Sequence, residues 1–214
     1  MMQKFLNLSH KTLIKICYLL GVCLLAAWML LQFAADMLFY ATGRLHPQTV
    51  TLADTDLYTL VDLEWDGADT LTALTGDVQL HLQPGQPVRN LRLVAEYSTK
   101  DSYERDLYWH LPGGGYTPKR RIWPTAGPDG SWEYTLPFYA GQNLRLDLAD
   151  KSGVEIRIKA LELNQRPAWY TYFIPTLWQL LWLAAVPGLL ACAAALVQDG
   201  VRLIRQMKKR GPNT

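Results

Sequence analysis

No cysteine lies between residues 41 and 172. The chain has three, Cys17, Cys23 and Cys192, and each falls in an apolar run outside that stretch. A disulfide framework is therefore excluded for the interval, along with cysteine-based zinc sites and cysteine nucleophiles. Its stability has to come from an ordinary packed core. Charge is missing elsewhere: Ile16 to Ala35 and Phe173 to Val197 contain no charged residue. Each run is about as long as the ~20 apolar residues that cross a ~30 Å hydrocarbon core, which excludes a simple soluble protein. Between the runs there is no helical periodicity, internal repeat or low-complexity segment.

Charge is present at the two ends. Residues 1 to 15 carry Lys4, Lys11 and Lys15 without an acid, and the tail from Gln198 carries Arg202, Arg205, Lys208, Lys209 and Arg210 against Asp199. The ends are thus +3 and +4 in a chain of net +2, so the stretch between them is −5. Cytoplasmic flanks are the ones that collect Lys and Arg, so both ends read as inside. A cleaved signal peptide begins similarly, but its apolar core has roughly 7 to 15 residues, and this one runs about 20 before Asp36. A lipoprotein reading of Leu20-Gly21-Val22-Cys23 fails on the bulky Val22 and on the apolar dozen that follows. The expected order is a cytoplasmic N-terminus (1–15), a signal-anchor transmembrane helix (16–40), an extracytoplasmic domain (41–172), a second transmembrane helix (173–197) and a basic cytoplasmic tail (198–214). The expected location is a bacterial inner membrane, with the central domain periplasmic or extracellular.

The central domain reads as strands. Leu57 to Trp65, Val78 to Leu82, Leu91 to Tyr97, Leu107 to Leu111 and Trp132 to Phe138 are candidates separated by turn-rich segments such as Gln83-Pro84-Gly85-Gln86-Pro87. Leu144, Leu146 and Leu148 alternate with polar residues, as do Val154, Ile156 and Ile158, and Ala149 to Gly153 supplies turn residues between them. These last two strands read as a hairpin. Leu161 and Leu163 continue out of phase with Ile158, which predicts a bulge near Ala160 or a change of face. Seven or eight short strands point to two sheets packed face to face, a β-sandwich of the jelly-roll kind. Tyr40 to Gln48 and Arg166 to Tyr172 are short joints, and Trp169, Tyr170 and Tyr172 suit the headgroup level. A membrane-proximal domain follows.

Several stretches carry a resemblance: Asp106-Leu-Tyr-Trp-His-Leu, Gly114-Gly-Tyr-Thr, Trp132-Glu-Tyr-Thr-Leu-Pro, and the run from Leu144 to Leu163. Together they resemble the carbohydrate-binding-module-like jelly roll attached to some bacterial membrane glycosyltransferases and polysaccharide-assembly proteins, over about 60 of the 214 residues. Leu148 stands where such modules often have proline after the aspartate, and no catalytic glycosyltransferase domain accompanies the module. The resemblance implies an accessory role near envelope glycan synthesis and supplies no activity.

Sugar rings present apolar C–H faces that stack on flat side chains, so a glycan site needs neighbouring exposed aromatics. The candidates are Tyr103, Tyr108, Trp109, Tyr116 and Trp123; Tyr108 and Trp109 must point to opposite faces of a strand, and Trp132 and Tyr134 share a face and read as core. The run Gly113-Gly114-Gly115 lacks the endings of phosphate-binding loops and reads as a loop. Beyond it, Lys119, Arg120 and Arg121 are candidates for an anionic ligand, the plainer reading being solvated loop charge. Asp54, Asp56, Asp62, Glu64, Asp66 and Asp69 crowd 16 residues. They lack EF-hand spacing and read as the wet face of a strand, with calcium as the alternative. His46, His81 and His110 have no metal spacing. Ala184, Gly188, Ala191 and Ala195 form a small-residue stripe in the second span where another helix can approach, either the first span at Gly21 or another protein. Pro187 would allow a kink there. The tail from Val201 to Arg210 is basic and amphipathic and reads as lying on anionic headgroups.

These features predict a non-catalytic envelope accessory protein that binds glycan or positions a partner glycosyltransferase in surface polysaccharide synthesis. The alternative is a scaffold subunit of a membrane complex that never touches sugar. No cofactor, no metal and no nucleic acid is expected, and the partner is expected to be another membrane protein.

Overall fold

The computed structural model describes residues 8–100, 104–110, 113–137 and 143–209, with no side-chain description for Lys208 and Lys209. Asp36–Arg166 forms one compact unit, and the helical residues before Asp36 pack with those after Arg166 into another.

In the helical unit, α1 (His10–Ala41) starts where the Ser9 hydroxyl accepts the Thr12 amide at 3.2 Å. The second helix, α2 (Leu177–Lys209), starts with a capping box: the Thr176 hydroxyl accepts the Gln179 amide, and the Gln179 side chain accepts the Thr176 amide at 2.8 Å. That box delays the helix to Leu177, past the predicted start at Phe173, where Trp169–Phe173 makes a 3-10 turn instead. α2 runs through Gly200 to Lys209 without interruption. Both helices are long and apolar enough to cross a membrane.

The other unit is a β-sandwich of twelve strands among the described residues: β1 (Gln48–Val50), β2 (Tyr58–Val61), β3 (Leu63–Trp65), β4 (Thr70–Ala73), β5 (Val78–Leu82), β6 (Asn90–Tyr97), β7 (Leu107–His110), β8 (Arg121–Ile122), β9 (Thr125–Ala126), β10 (Trp132–Thr135), β11 (Asn143–Ala149) and β12 (Glu155–Leu163). All pairings are antiparallel. A seven-stranded sheet has the order β3-β4-β12-β6-β10-β9, with β1 also on β12, and a five-stranded sheet has the order β2-β5-β11-β7-β8. Leu71, Leu91, Leu93, Ile156 and Leu163 of the first sheet meet Leu80, Leu82, Leu107, Leu144 and Leu146 of the second in one core.

Two details depart from the period-two reading. The stretch Leu57 to Trp65 is not one strand, because Asp62 turns the chain at φ 54° and sends β2 and β3 into different sheets. The expected hairpin of β11 with β12 is also absent. β11 pairs with β5 and β7, β12 with β1, β4 and β6, and Ala149 to Gly153 therefore carries the chain from one sheet to the other. Alternating leucines and isoleucines show that each strand has a buried face, but two strands on opposite walls of one core bury the same kind of face as two neighbours do. The bulge near Ala160 is present, with the register against β6 shifting between Ile158 and Ala160.

Buried polar groups gather just before β6 and just after β12. Asp36, 2% exposed, accepts from Arg89 Nε at 3.1 Å through both oxygens. Asn164, at φ 53°, accepts the Arg89 amide at 2.7 Å and donates to the Gln86 side chain and the Pro87 carbonyl.

Candidate functional site

Register decides what the five-stranded sheet presents outward. Leu82, Leu144 and Trp109 are opposite one another across β5, β11 and β7, and all face the core; the next row, His81, Arg145, Tyr108 and Arg121, therefore faces out. Asn143 and His110 pair two residues along, and Gln79 and Asp147 two residues the other way. Four strands thus place two arginines, a tyrosine, a glutamine and two histidines on one surface.

The row continues off the sheet at both ends. Gly113, at φ 75°, helps turn the loop after β7, and Tyr116 comes back over the sheet. Its ring stands edge-on to His81 at 5.3 Å and to His110 at 4.7 Å between centroids. At the other end, just beyond β8, Trp123 lies against Arg121 with the guanidinium carbon 3.9 Å from the ring centroid. Between these ends, Arg145 is 4.8 Å from the Tyr108 ring and 5.8 Å from Tyr116, and Arg121 is 5.9 Å from Tyr108. The result is a ladder of alternating rings and guanidiniums: Trp123, Arg121, Tyr108, Arg145, Tyr116, and the two histidines. Trp123 is 66% exposed and has Arg121 on its ring, so much of the indole is open to solvent.

Carboxylates hold the cations of the ladder. Arg145 donates from Nε and Nη2 to the two oxygens of Asp147, both at 2.6 Å, and Arg121 Nη2 contacts Asp106. Asp106 and Asp147 are 1% and 2% exposed. Burial pushes the Asp106 carboxyl above the ordinary carboxylate range, against the pull of Arg121. Burial and the neighbouring Asp147 and Asp106 do the same to Glu104. A relay orients His81: Gln79 donates to Asp77 at 3.1 Å, which turns its carbonyl oxygen toward His81 Nε2 at 2.9 Å. His81 Nε2 is then the protonated nitrogen, and burial together with Arg145 keeps the ring's pKa below its ordinary value. Chemically, the surface offers flat rings beside neutral and neutralised hydrogen-bonding groups.

The sequence candidates divide. Trp123, Tyr116 and Tyr108 come together on this face, joined by Arg121. Trp109 lies on the opposite side of β7, packed on the core under Arg120 at 5.1 Å, so it does not share the surface. Lys119 is exposed, Arg120 lies over the Trp109 ring and Arg121 contacts Asp106. Tyr103 lies outside the described residues. Tyr134 is core at 1% exposure, and Trp132 packs on that core with Arg105 against its ring. His81, His110, Arg145, Gln79 and Asp147 were not singled out in the sequence. Period-two alternation marks Arg145 and His81 as outward-facing, but only strand order places them side by side.

The acidic stretch does separate jobs. Asp54 accepts from Thr51, Asp62 from the Thr75 hydroxyl, Asp66 from the Ala68 and Thr70 amides, and Asp69 pairs with Arg157. Among the described residues, no group of three metal-ligating side chains gathers. In the helical unit, the small-residue stripe lies near α1. Tyr18 donates to the Ala184 carbonyl at 2.8 Å, its hydroxyl is 3.3 Å from where a Gly188 Cβ would lie, and a Cβ on Gly21 would be 2.8 Å from Pro187 Cγ. Ala191 is buried and Ala195 partly so.

No family model matches the chain, and no curated protein sequence does. Among solved structures, the chain is similar to CBM86, a low-affinity xylan-binding module from the xylanolytic gut symbiont Roseburia intestinalis, at 11% identity and a TM-score of 0.38, over 56% of this chain and 96% of the module. A likeness of this size transfers neither a ligand nor a site.

Proposed function

We propose that the outer face of the five-stranded sheet binds glycan, and that the chain is a non-catalytic accessory protein of a bacterial inner membrane that holds this glycan for a partner glycosyltransferase. The observation that carries the reading is the ladder itself: Trp123, Tyr108 and Tyr116 stand in one line with hydrogen-bonding groups between them, the pattern that ring stacking plus hydroxyl recognition needs. Two apolar helices and basic termini support the membrane placement, with the sandwich outside and both ends in the cytoplasm. The small-residue stripe near α1 leaves the exposed apolar faces of both helices for lipid or for the partner.

The test is a polysaccharide array probed with the full-length chain in detergent micelles. Trp123→Ala and Tyr116→Ala are each expected to weaken retention about tenfold, ~1.4 kcal/mol. Trp123→Ala should leave the melting temperature nearly unchanged, since an exposed ring adds little to a core. An array on which the native chain binds nothing would leave the scaffold alternative in place.

A further inference from the structure

Arginines beside aromatic rings ordinarily serve to grip carboxylates or phosphates, because the guanidinium fork matches two oxygens at once. Here each guanidinium already has a carboxylate of its own: Arg145 holds the two oxygens of Asp147 through a two-point fork of Nε and Nη2, and Arg121 meets Asp106 through Nη2 alone. Neither acid can be exchanged for an incoming one, since Asp106 and Asp147 are almost wholly buried and would be left as uncompensated charges. Glu104 stands in the field of Asp147, Asp106 and Arg121, and Asp77 accepts from Gln79 on the same surface. The two guanidiniums of the ladder thus stand among four carboxyl groups, and an acidic polymer approaching them meets more negative than positive charge. What remains for a ligand is ring faces, chiefly that of the exposed Trp123, and the N–H groups of Arg145 and Arg121 beyond those directed at their aspartates.

Resting on the glycan-binding reading of this same face, we propose that it selects uncharged glycans and rejects acidic ones, with Asp106 and Asp147 as positioning residues that neutralise Arg121 and Arg145. The aspartates do not touch sugar. They convert two anion receptors into fixed hydrogen-bond donors.

The full-length chain in detergent micelles is tested by affinity electrophoresis against neutral polymers (glucan, xylan, mannan, galactan) and acidic ones (polygalacturonate, alginate). The expected result is retardation by at least one neutral polymer and by neither acidic one. Retardation should change less than about twofold between ~0.05 and ~0.5 M salt, because no net charge is exchanged. Asp106→Asn should create binding to the acidic polymers, about tenfold above the native chain and lost at high salt. Glu104→Gln, a milder change at a half-buried position, should shift the preference the same way by a smaller factor and stands in should Asp106→Asn fail to fold. Tighter binding of an acidic polymer by the native chain overturns the selection and leaves the glycan reading intact. Folded variants that gain no acidic binding overturn the role given to the carboxylates. A native chain that no polymer retards removes the glycan reading itself, and this inference with it.

Discussion

The two outer faces of the sandwich use the same residue types for different ends. On the seven-stranded sheet, Arg157 pairs with Asp69, Lys159 with Glu96, and Arg92 with both Glu162 and Asp129, each pair with at least one exposed or half-exposed member. Its outward rows on β4, β6, β10 and β12 hold no aromatic residue. On the five-stranded sheet the carboxylates are buried, the arginines lie over rings, and the rings reach solvent. Charge that is merely solvated on one face is fixed in place on the other. A surface of the first kind keeps a protein soluble, whereas the second has its hydrogen-bonding groups arranged before any ligand arrives.

The sharpest way to break this comparison is to make the same change on both faces. Arg145→Ala strands the buried Asp147 and is expected to cost about 3 to 5 kcal/mol. Arg157→Ala removes an exposed, solvent-screened pair and should cost far less. Denaturant unfolding of the full chain, followed by tryptophan fluorescence, measures both. Equal costs would mean that the two faces are energetically alike.

Acid should separate the faces by sign. The hydrogen bond from Arg157 holds Asp69 below its ordinary pKa, and Ser131 and Arg92 do the same for Asp129. A carboxyl depressed on folding contributes stability that is present above the unfolded value, 3.8, and is lost as pH falls below it. Asp106 and Glu104 are raised by burial, so their ionised forms cost stability near neutrality, and that cost is relieved as pH falls toward 3.8 and 4.5. Melting curves across pH should therefore show the difference between native and Asp106→Asn moving in favour of the native chain as pH drops from about 7 to about 4. The difference for Asp69→Asn should stay flat over that range and close only below it. A common slope for the two variants would contradict the assignment.

The smallest expected effect is on binding. Lys159→Ala and Arg92→Ala, on the seven-stranded face, should leave polysaccharide retention within about twofold of the native chain, ~0.4 kcal/mol. A larger loss would move the binding surface to the other sheet.

How much of this could be read from the sequence follows from what periodicity encodes. Alternation located β5 to the residue and showed which side chains leave the core, because burial has a period of two in any strand. It could not say which strands are neighbours. Tyr108 and Arg145 are 37 positions apart in the chain and opposite in the sheet, and His81 joins them only because β11 sits between β5 and β7. The aromatic members of the site stood out by residue type and Arg121 by its place in a basic run; Arg145, Gln79 and the histidines looked like any solvated strand face. Asp62 illustrates the same limit from the backbone, since one left-handed residue divides an alternation that otherwise reads as continuous.

The placement of β12 bears on how the chain acquires its fold. Glu155–Leu163 is the last strand in sequence, yet it lies at the middle of the seven-stranded sheet, pairing with β4, β6 and β1. Until it arrives, β4 and β1 have no neighbour to join them to β6, and their open edges are competent to pair with another chain. Its partners on β1 lie more than 100 residues upstream, a non-local closure of the kind that slows folding. During synthesis the sandwich is therefore an unfinished sheet until the residues just before α2 are available. A chain cut short ahead of Glu155 would be left with aggregation-prone edges, while one cut within α2 would already possess every strand the sandwich needs.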